Sequence, residues 1–126
     1  MISSPKYLLF PFVLNILILV PVCYAMFLGP GTAAVFENKV TESEGLRLLV
    51  GSLWFAILVA SVAGLLWPAF FAPIVIAQVI YKTLWLAAFV VPTAASGLPV
   101  PIGISAVFAF IVVTYPIAFW LALKPA

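Results

Sequence analysis

Histidine is absent from this sequence of 126 residues, and cysteine occurs only once, at Cys23. Without histidine, the chain has no imidazole to ligate a metal or haem, and it lacks the side chain that most often transfers protons in enzymes. A single cysteine cannot form a disulfide within the chain, and Cys23 lies in an apolar run, where we expect a small buried hydrophobe. The sequence therefore predicts no metal site and no cofactor.

Charged residues are also scarce, at 6% of the chain, with five basic and three acidic side chains scattered singly. They form no basic stripe that would contact phosphates, so we do not expect nucleic acid as a partner. The sequence holds no nucleotide-binding glycine loop, no CxxC pair and no zinc-ligand spacing, and no family motif is recognisable in it. These absences favour a protein that is not an enzyme.

Hydrophobic residues make up 67% of the chain, and the mean hydropathy is +1.39. A soluble domain of this length cannot hide so much apolar surface, so the predicted surroundings are a lipid bilayer. A spanning helix needs about twenty apolar residues, and four stretches qualify, at about 7–28, 42–67, 70–91 and 102–123. The first stretch follows Lys6 as in a signal peptide, but it is long enough to span, and we expect a membrane helix.

Helix-breaking and polar residues separate the first two stretches. Gly29-Pro30-Gly31 ends the first stretch and opens a polar loop at 29–41. Thr41 and Glu44 have the spacing of a capping box, in which each side chain accepts from the backbone N–H of the other residue. This pattern predicts a helix start just ahead of the second apolar stretch.

An uncharged turn between Trp67-Pro68 and Pro73 connects the second and third stretches and predicts a tight antiparallel hairpin. The other connections are also short, so neighbouring helices are expected to run antiparallel. The predicted fold is all-α, an integral membrane four-helix bundle with antiparallel neighbouring helices. Residues 1–126 are expected to form a single transmembrane domain.

Four crossings return the chain to the side on which it began. That side carries Lys6 and Lys124, and the opposite side carries Lys39 and Arg47, so the positive-inside rule gives almost no preference. We expect a multi-pass membrane protein with both termini in the cytoplasm, and we take a bacterial inner membrane as the working assumption.

Small residues recur every four positions along the second helix, at Ser52, Ala56, Ala60 and Gly64. Such a stripe lets helix backbones approach closely, which favours association in lipid. We expect this helix at the centre of the bundle and its stripe packed within the chain, with a dimer or partner interface as the alternative. The first helix is bulky on all sides, so we expect it to face lipid or a partner.

One charge falls in the middle of an apolar stretch, at Lys82 in the third helix. A lysine at that depth costs about 2.5–3.5 kcal/mol to insert, and such residues usually face a cavity or a partner. Polar or aromatic side chains that share its helical face or lie at comparable depth are Gln78, Trp85, Asn15, Thr114 and Tyr115. We expect these six residues to form a midplane ligand-binding pocket.

Two interpretations of Lys82 remain open at this point. In the first, Lys82 binds an anionic or carbonyl-bearing ligand or transfers a proton. In the second, it extends toward the headgroups and only orients its helix. No acidic residue falls inside an apolar stretch to neutralise it. That absence favours a neutral amine, an acid supplied by another chain, or a ligand that carries the negative charge.

Three functions follow, in order of preference. The first is a non-enzymatic accessory or scaffold subunit, or a homo-oligomer, that acts by helix packing with itself or with other membrane protein subunits. The alternative is a transporter or channel for a small anionic or organic solute that uses the site around Lys82. A membrane enzyme acting on a lipid or quinone is the third, and it would depend on Lys82, Tyr81 and Tyr115.

Overall fold

The computed structural model describes residues 2–125, except for the side chain of Thr32. It confirms the predicted all-α helical bundle, with four long apolar helices. The long helices are α1 (Leu9–Phe27), α2 (Glu44–Gly64), α3 (Pro73–Trp85) and α4 (Ile102–Leu123). Together with the short segments that extend them, these helices form four spans that are long and apolar enough to cross a membrane.

Short helical segments extend or connect the long helices. A 3-10 turn at Pro5–Leu8 leads into α1, and a one-turn helix at Thr32–Val35 lies in the loop that follows. Another single turn, Pro68–Phe71, precedes α3. A π-helical turn at Leu86–Val90 and a last turn at Val91–Ala95 continue α3, so that the third span covers 28 residues.

The third span continues past the predicted end at residue 91, and the reason is the π-helical turn. Pro92 has no N–H and would normally stop an α-helix at the preceding residue. The N–H of Val91 already donates to the carbonyl of Leu86, five residues back. Next to Pro92, the backbone hydrogen bond therefore spans five residues instead of the usual four, and the helix continues to Ala95.

Helix α1 is the most buried of the four, which corrects the expectation that α2 lies at the centre of the bundle. In the most apolar part of each span, 33% of the first is buried inside the bundle against 22% of the second. The bulky first helix therefore packs one face against the other helices, while many of its other large side chains are exposed on the outer surface. The buried residues of α1 recur every three or four positions, at Phe12, Asn15, Leu19, Cys23 and Met26.

Two glycines in α2 explain why α1 and α2 pack so closely. A Cβ placed on Gly64 would lie 2.8 Å from the Phe12 ring, and one on Gly51 would lie 3.2 Å from Met26. Both glycines are therefore needed for the close approach of the two helices. Phe12 precedes Met26 in α1 whereas Gly64 follows Gly51 in α2, so the two helices are antiparallel.

The start of α2 differs from the predicted capping box. The residue that precedes its first turn is Ser43, not Thr41, and no side chain caps the helix there. Arg47 holds this region instead, because its guanidinium donates to the backbone carbonyl of Met26 and pairs with the Glu42 carboxylate at 3.0 Å. The beginning of α2 is thus fastened to the end of α1.

Both ends of the described chain lie at the same end of the bundle. The backbone N–H groups of Ser3 and Ser4 each donate to the carbonyl of Ala122 over 2.9 Å, and the Ser4 hydroxyl donates to the carbonyl of Lys124. We call this end, which also holds the turn between α2 and α3, the terminal end. The opposite end, with residues 28–43 and 96–101, is the loop end.

Candidate functional site

Lys82 lies close to the middle of the span Pro68–Ala95 and is only 3% exposed. Its Nζ donates to the Gln78 side-chain oxygen over 3.1 Å and to the Tyr81 hydroxyl over 2.5 Å. The same nitrogen lies 4.2 Å from the centroid of the Tyr81 ring and 4.7 Å from that of Phe108. The amine is therefore held by neutral dipoles and by the faces of two aromatic rings.

The acidic residues of the chain are all remote from Lys82 in sequence, at Glu37, Glu42 and Glu44. Glu42 pairs with Arg47, and Glu44 is exposed in the first turn of α2. Glu37 lies at the loop end, where its carboxylate accepts the Gly103 N–H over 2.6 Å. The polar contacts of the Lys82 amine within residues 2–125 therefore include no carboxylate.

Gln78 lies one helical turn before Lys82 and is 1% exposed. Its side-chain oxygen accepts from Lys82, but its Nε2 has no hydrogen-bond partner among the described residues. A buried donor without a partner costs about 1–3 kcal/mol, so such groups are rare and call for an explanation. Gln78 thus presents two free N–H bonds beside the Lys82 amine.

Asn15 connects three helices at the same level. Its side-chain nitrogen donates to the Ser61 hydroxyl of α2 over 2.9 Å, and its side-chain oxygen accepts from the Tyr115 hydroxyl of α4. The Tyr115 hydroxyl also contacts the carbonyl of Pro11 at 3.1 Å, and Ser61 donates back to its own helix at Ile57. This buried network fixes the Asn15 amide and leaves one of its N–H bonds for another acceptor.

A central cavity of about 340 Å³ connects these polar groups to the loop end. Asn15, Gln78 and Lys82 supply the polar lining in the middle of the bundle, and aliphatic side chains and the Trp54 and Phe108 rings supply most of the rest. At the loop end the lining includes the exposed residues Ala34 and Gly103, together with Glu37. The cavity is therefore within reach of the surroundings at this end.

The structure brings together three of the six residues predicted for the pocket. Lys82, Gln78 and Asn15 line the central cavity. Tyr115 is fully buried and acts on the cavity only through its hydrogen bond to Asn15.

The other two predicted residues, Trp85 and Thr114, lie outside the cavity lining. Thr114 is one position before Tyr115, so it is turned about 100° away, and its hydroxyl donates to the carbonyl of Phe110. Trp85 shares the helical face of Lys82, but Phe36 from the loop packs against its ring at a centroid distance of 5.9 Å.

Sequence reasoning missed three residues of this region. Phe108 and Trp54 are aromatic residues in apolar helices, and their spacing gives no sign that they line the same cavity as Lys82 from two other helices. Glu37 lies in the polar loop, and nothing in the sequence around it indicates a role in a site. The structure places its carboxylate at the start of α4, 66 positions further along the chain.

A second, lateral cleft of about 480 Å³ lies between α2 and α3. Its lining is apolar apart from two polar groups, the Trp54 Nε1 and the Tyr81 hydroxyl, which hydrogen-bond to each other over 3.0 Å. Trp54 and Phe108 line both the central cavity and the lateral cleft. These two rings thus lie between a central cavity that holds a few buried polar groups and an apolar cleft on the side of the bundle.

The small-residue stripe of α2 is divided between inside and outside. Gly64 is buried against Phe12, and Ala60 is half-buried. Ser52 and Ala56 are exposed, and the Ser52 hydroxyl donates to the carbonyl of Leu48 in its own helix. Only the terminal-end half of the stripe is therefore used in packing within the chain.

Within residues 2–125, no group of three or more His, Cys, Asp or Glu side chains is placed to hold a metal ion. Comparison with known proteins finds no matching family model, no matching curated protein and no matching solved structure.

Proposed function

We propose that this chain is a multi-pass membrane protein that binds a small anionic or carbonyl-bearing organic molecule in its central cavity. The observation on which this proposal rests is the unpartnered Nε2 of Gln78, which lies beside the buried amine of Lys82 on the cavity wall. Both groups present donors, and the free N–H of Asn15 is a third. A ligand with two or more acceptor oxygens complements these donors.

Electrostatics favour an anionic ligand over a neutral one. A charged amine near the middle of a bilayer is costly unless it faces a partner or a cavity. The hydroxyl, the amide oxygen and the rings around Lys82 reduce this cost, but they supply no negative charge. An anion in the cavity neutralises the amine and satisfies Gln78 in the same place.

The closed end of the cavity favours a carrier over an open channel. Phe12, Val75 and Tyr115 are fully buried on the terminal-end side of the site and fill the bundle there. A solute that arrives from the loop end can reach Lys82, but it can leave at the terminal end only after these side chains move. Transport through this protein would therefore require an alternating rearrangement.

Binding of benzoate, a small organic anion, tests the site in detergent solution. We expect benzoate to raise the Tm of the parent protein, because a ligand that binds only the folded state stabilises it. Lys82→Met is expected to weaken binding by about tenfold or more, since it removes a charge-assisted hydrogen bond. The matched control is Lys6→Met, which removes an exposed lysine at the terminal end. Equal benzoate affinity in both variants would show that Lys82 only orients its helix.

Flux in proteoliposomes tests the transport part of the proposal. Benzenesulfonate is a suitable solute because it stays anionic and does not cross lipid as a neutral acid. We expect uptake by the parent and by Lys6→Met and little uptake by Lys82→Met. Uptake at the parental rate by Lys82→Met, or no uptake by any of the three despite benzoate binding, would contradict the transport function.

A second candidate function, an accessory subunit or homo-oligomer, rests on the exposed half of the α2 stripe. Ser52 and Ala56 lie one turn apart on the outer surface of the bundle, where they would let a second helix approach closely. We expect Ser52→Leu with Ala56→Leu to reduce the particle mass measured in mild detergent if this surface joins two chains. Ala109→Leu, at an exposed position of α4, is the control. An unchanged monomeric mass in all variants, with no co-purifying subunit, would remove this candidate.

A further inference from the structure

The lateral cleft adds a feature that a site for a small soluble anion does not need. It lies between α2 and α3, and its lining includes the exposed residues Leu53 and Ala77. In a bilayer, exposed residues at this depth face hydrocarbon rather than water. The cleft is therefore accessible to an apolar chain from the surrounding lipid.

The cleft meets the amine of Lys82 through a single hydroxyl. Tyr81 lines the cleft, and its hydroxyl accepts from the Trp54 Nε1 on one side and from the Lys82 Nζ on the other. A polar head that enters from the cleft first meets this hydroxyl, which has a proton to donate. By displacing the hydroxyl from Lys82, the head reaches the amine and the free Nε2 of Gln78 without crossing the rest of the bundle.

The charges define what kind of head can be accommodated. Lys82 supplies one positive charge, so a monoanion neutralises it, whereas a dianion would leave a net negative charge in the bundle. The Glu37 carboxylate at the loop end of the cavity disfavours additional negative charge. A carboxylate has one negative charge and two acceptor oxygens, one for the Lys82 amine and one for the Gln78 amide.

We infer that the ligand is a single-chain membrane carboxylate, a fatty-acid-like amphiphile, whose head binds Lys82 and Gln78 and whose chain occupies the lateral cleft. This inference rests on the proposed function and adds the class of ligand and the route by which it arrives. The chain would pack against the aromatic rings of Trp54 and Phe36 and against the aliphatic residues of α2 and α3 that line the cleft. An amphiphile fits this arrangement, because buried polar donors lie on one side of the two shared aromatic rings and an apolar cleft lies on the other.

Quenching of tryptophan fluorescence in phosphatidylcholine nanodiscs tests the inference. A dibrominated stearate quenches tryptophans that it contacts, and both Trp54 and Trp85 line the cleft. We expect saturable quenching that excess oleate reverses and methyl oleate does not, because the methyl ester has no charge to pair with Lys82. Equal competition by oleate and methyl oleate would overturn the role of the carboxylate. Equal competition by an alkyl phosphate of the same length would overturn the preference for a monoanion.

Filling the cleft tests whether the hydrocarbon chain of the ligand lies there. Ala77→Leu adds bulk inside the cleft, and we expect it to weaken dibromostearate binding by about tenfold. Ala109→Leu makes the same change at an exposed position outside the cleft and should leave binding unaltered. Leu53→Phe, with Leu49→Phe as its control, repeats the comparison from the α2 wall without adding a tryptophan, if Ala77→Leu does not fold. Equal dibromostearate affinity within each pair of variants would overturn the placement of the hydrocarbon chain in the cleft.

The benzoate experiment distinguishes the two proposals. If benzoate binds in a Lys82-dependent way and dibromostearate does not, the proposed anion site in the cavity is supported and the inference of a fatty-acid-like ligand is wrong. If Lys82→Met alters neither benzoate nor dibromostearate binding, both proposals are wrong. We expect Lys82→Met to weaken both ligands, and Ala77→Leu to weaken only the one with a long chain.

Discussion

At the scale of single residues, the buried polar groups of this protein belong to two sets with different roles. Asn15, Ser61 and Tyr115 hydrogen-bond to one another across three helices and form a structural network in which one Asn15 N–H remains for a ligand. Lys82 and Gln78 are satisfied only in part, because Gln78 keeps an unpartnered donor beside a cavity. The hydrogen bonds of the first set mainly hold helices together, whereas the unpartnered donor of the second set is available to a ligand.

Loss of the Tyr115 hydroxyl should destabilise the bundle without acting directly on the ligand. Tyr115→Phe leaves the side-chain oxygen of Asn15 without its donor, and we expect the free energy of unfolding to fall by about 1 kcal/mol, the scale of hydrogen bonds between membrane helices. Unfolding by increasing sodium dodecyl sulfate in mixed micelles measures it. Tyr24→Phe, at a residue that is 63% exposed, is the control. A loss no larger than that of the control would contradict the structural role of this network.

At the scale of elements, the antiparallel pair of α1 and α2 is closely packed, whereas α2 and α3 are more openly packed. The first pair approaches closely because Gly64 and Gly51 have no side chain to separate the helices. The second pair is separated by the lateral cleft, which is bridged by the hydrogen bond from Trp54 to Tyr81. A rearrangement that lets a ligand pass would require the least disruption between α2 and α3.

A methyl group at Gly64 should disrupt the close packing of α1 against α2. The Cβ would lie 2.8 Å from the Phe12 ring, and we expect Gly64→Ala to lower the free energy of unfolding by about 1–3 kcal/mol through overpacking. Gly45→Ala, where nothing lies within 4 Å of the added Cβ, is the matched control and should be neutral or slightly stabilising. The same sodium dodecyl sulfate titration measures both. Equal stability of the two variants would show that α1 and α2 can separate without cost.

At the scale of the whole molecule, the two ends of the central cavity have different electrostatic surroundings. Lys82 places its amine in the middle, and the Glu37 carboxylate contributes a negative charge at the loop end, where it also accepts from the first turn of α4. Glu37 and Asn38 both have positive φ values, of 54° and 58°, which are costly for glutamate. The loop therefore holds this carboxylate at the mouth of the cavity in spite of local strain.

Removing the charge at the mouth should strengthen anion binding. Glu37→Gln keeps a side-chain oxygen that can accept the Gly103 N–H, so the loop contact can persist while the repulsion of benzoate is lost. We expect benzoate affinity to rise about twofold to fivefold at low ionic strength and to return toward the parental value at high salt, because salt screens the interaction. Glu44→Gln, at an exposed acid of α2 outside the cavity lining, is the control. A salt-independent change, or none, would contradict the electrostatic role of Glu37.

Much of the fold was predictable because the relevant physics is local. About twenty apolar residues in succession, ended by Gly29-Pro30-Gly31 or by Trp67-Pro68, specify four helices before any contact is known. Lys82 was recognisable for the same reason, since one charge inside an apolar helix is conspicuous in the sequence. Gln78 followed from helical spacing, because residues four positions apart share a face.

The remainder depended on tertiary contacts for which the sequence has no signature. The sequence does not show which face of α1 is buried, because its residues are bulky on every side. Only the packing of the helices showed that the face with Phe12 is buried. Trp85 has the spacing that places it on the helical face of Lys82, but its ring packs against Phe36 from the loop and does not line the central cavity. The sequence by itself therefore determined the helices and the buried charge. Only the tertiary structure decided which helix lies inside and which polar group lacks a partner, because both depend on contacts between distant residues.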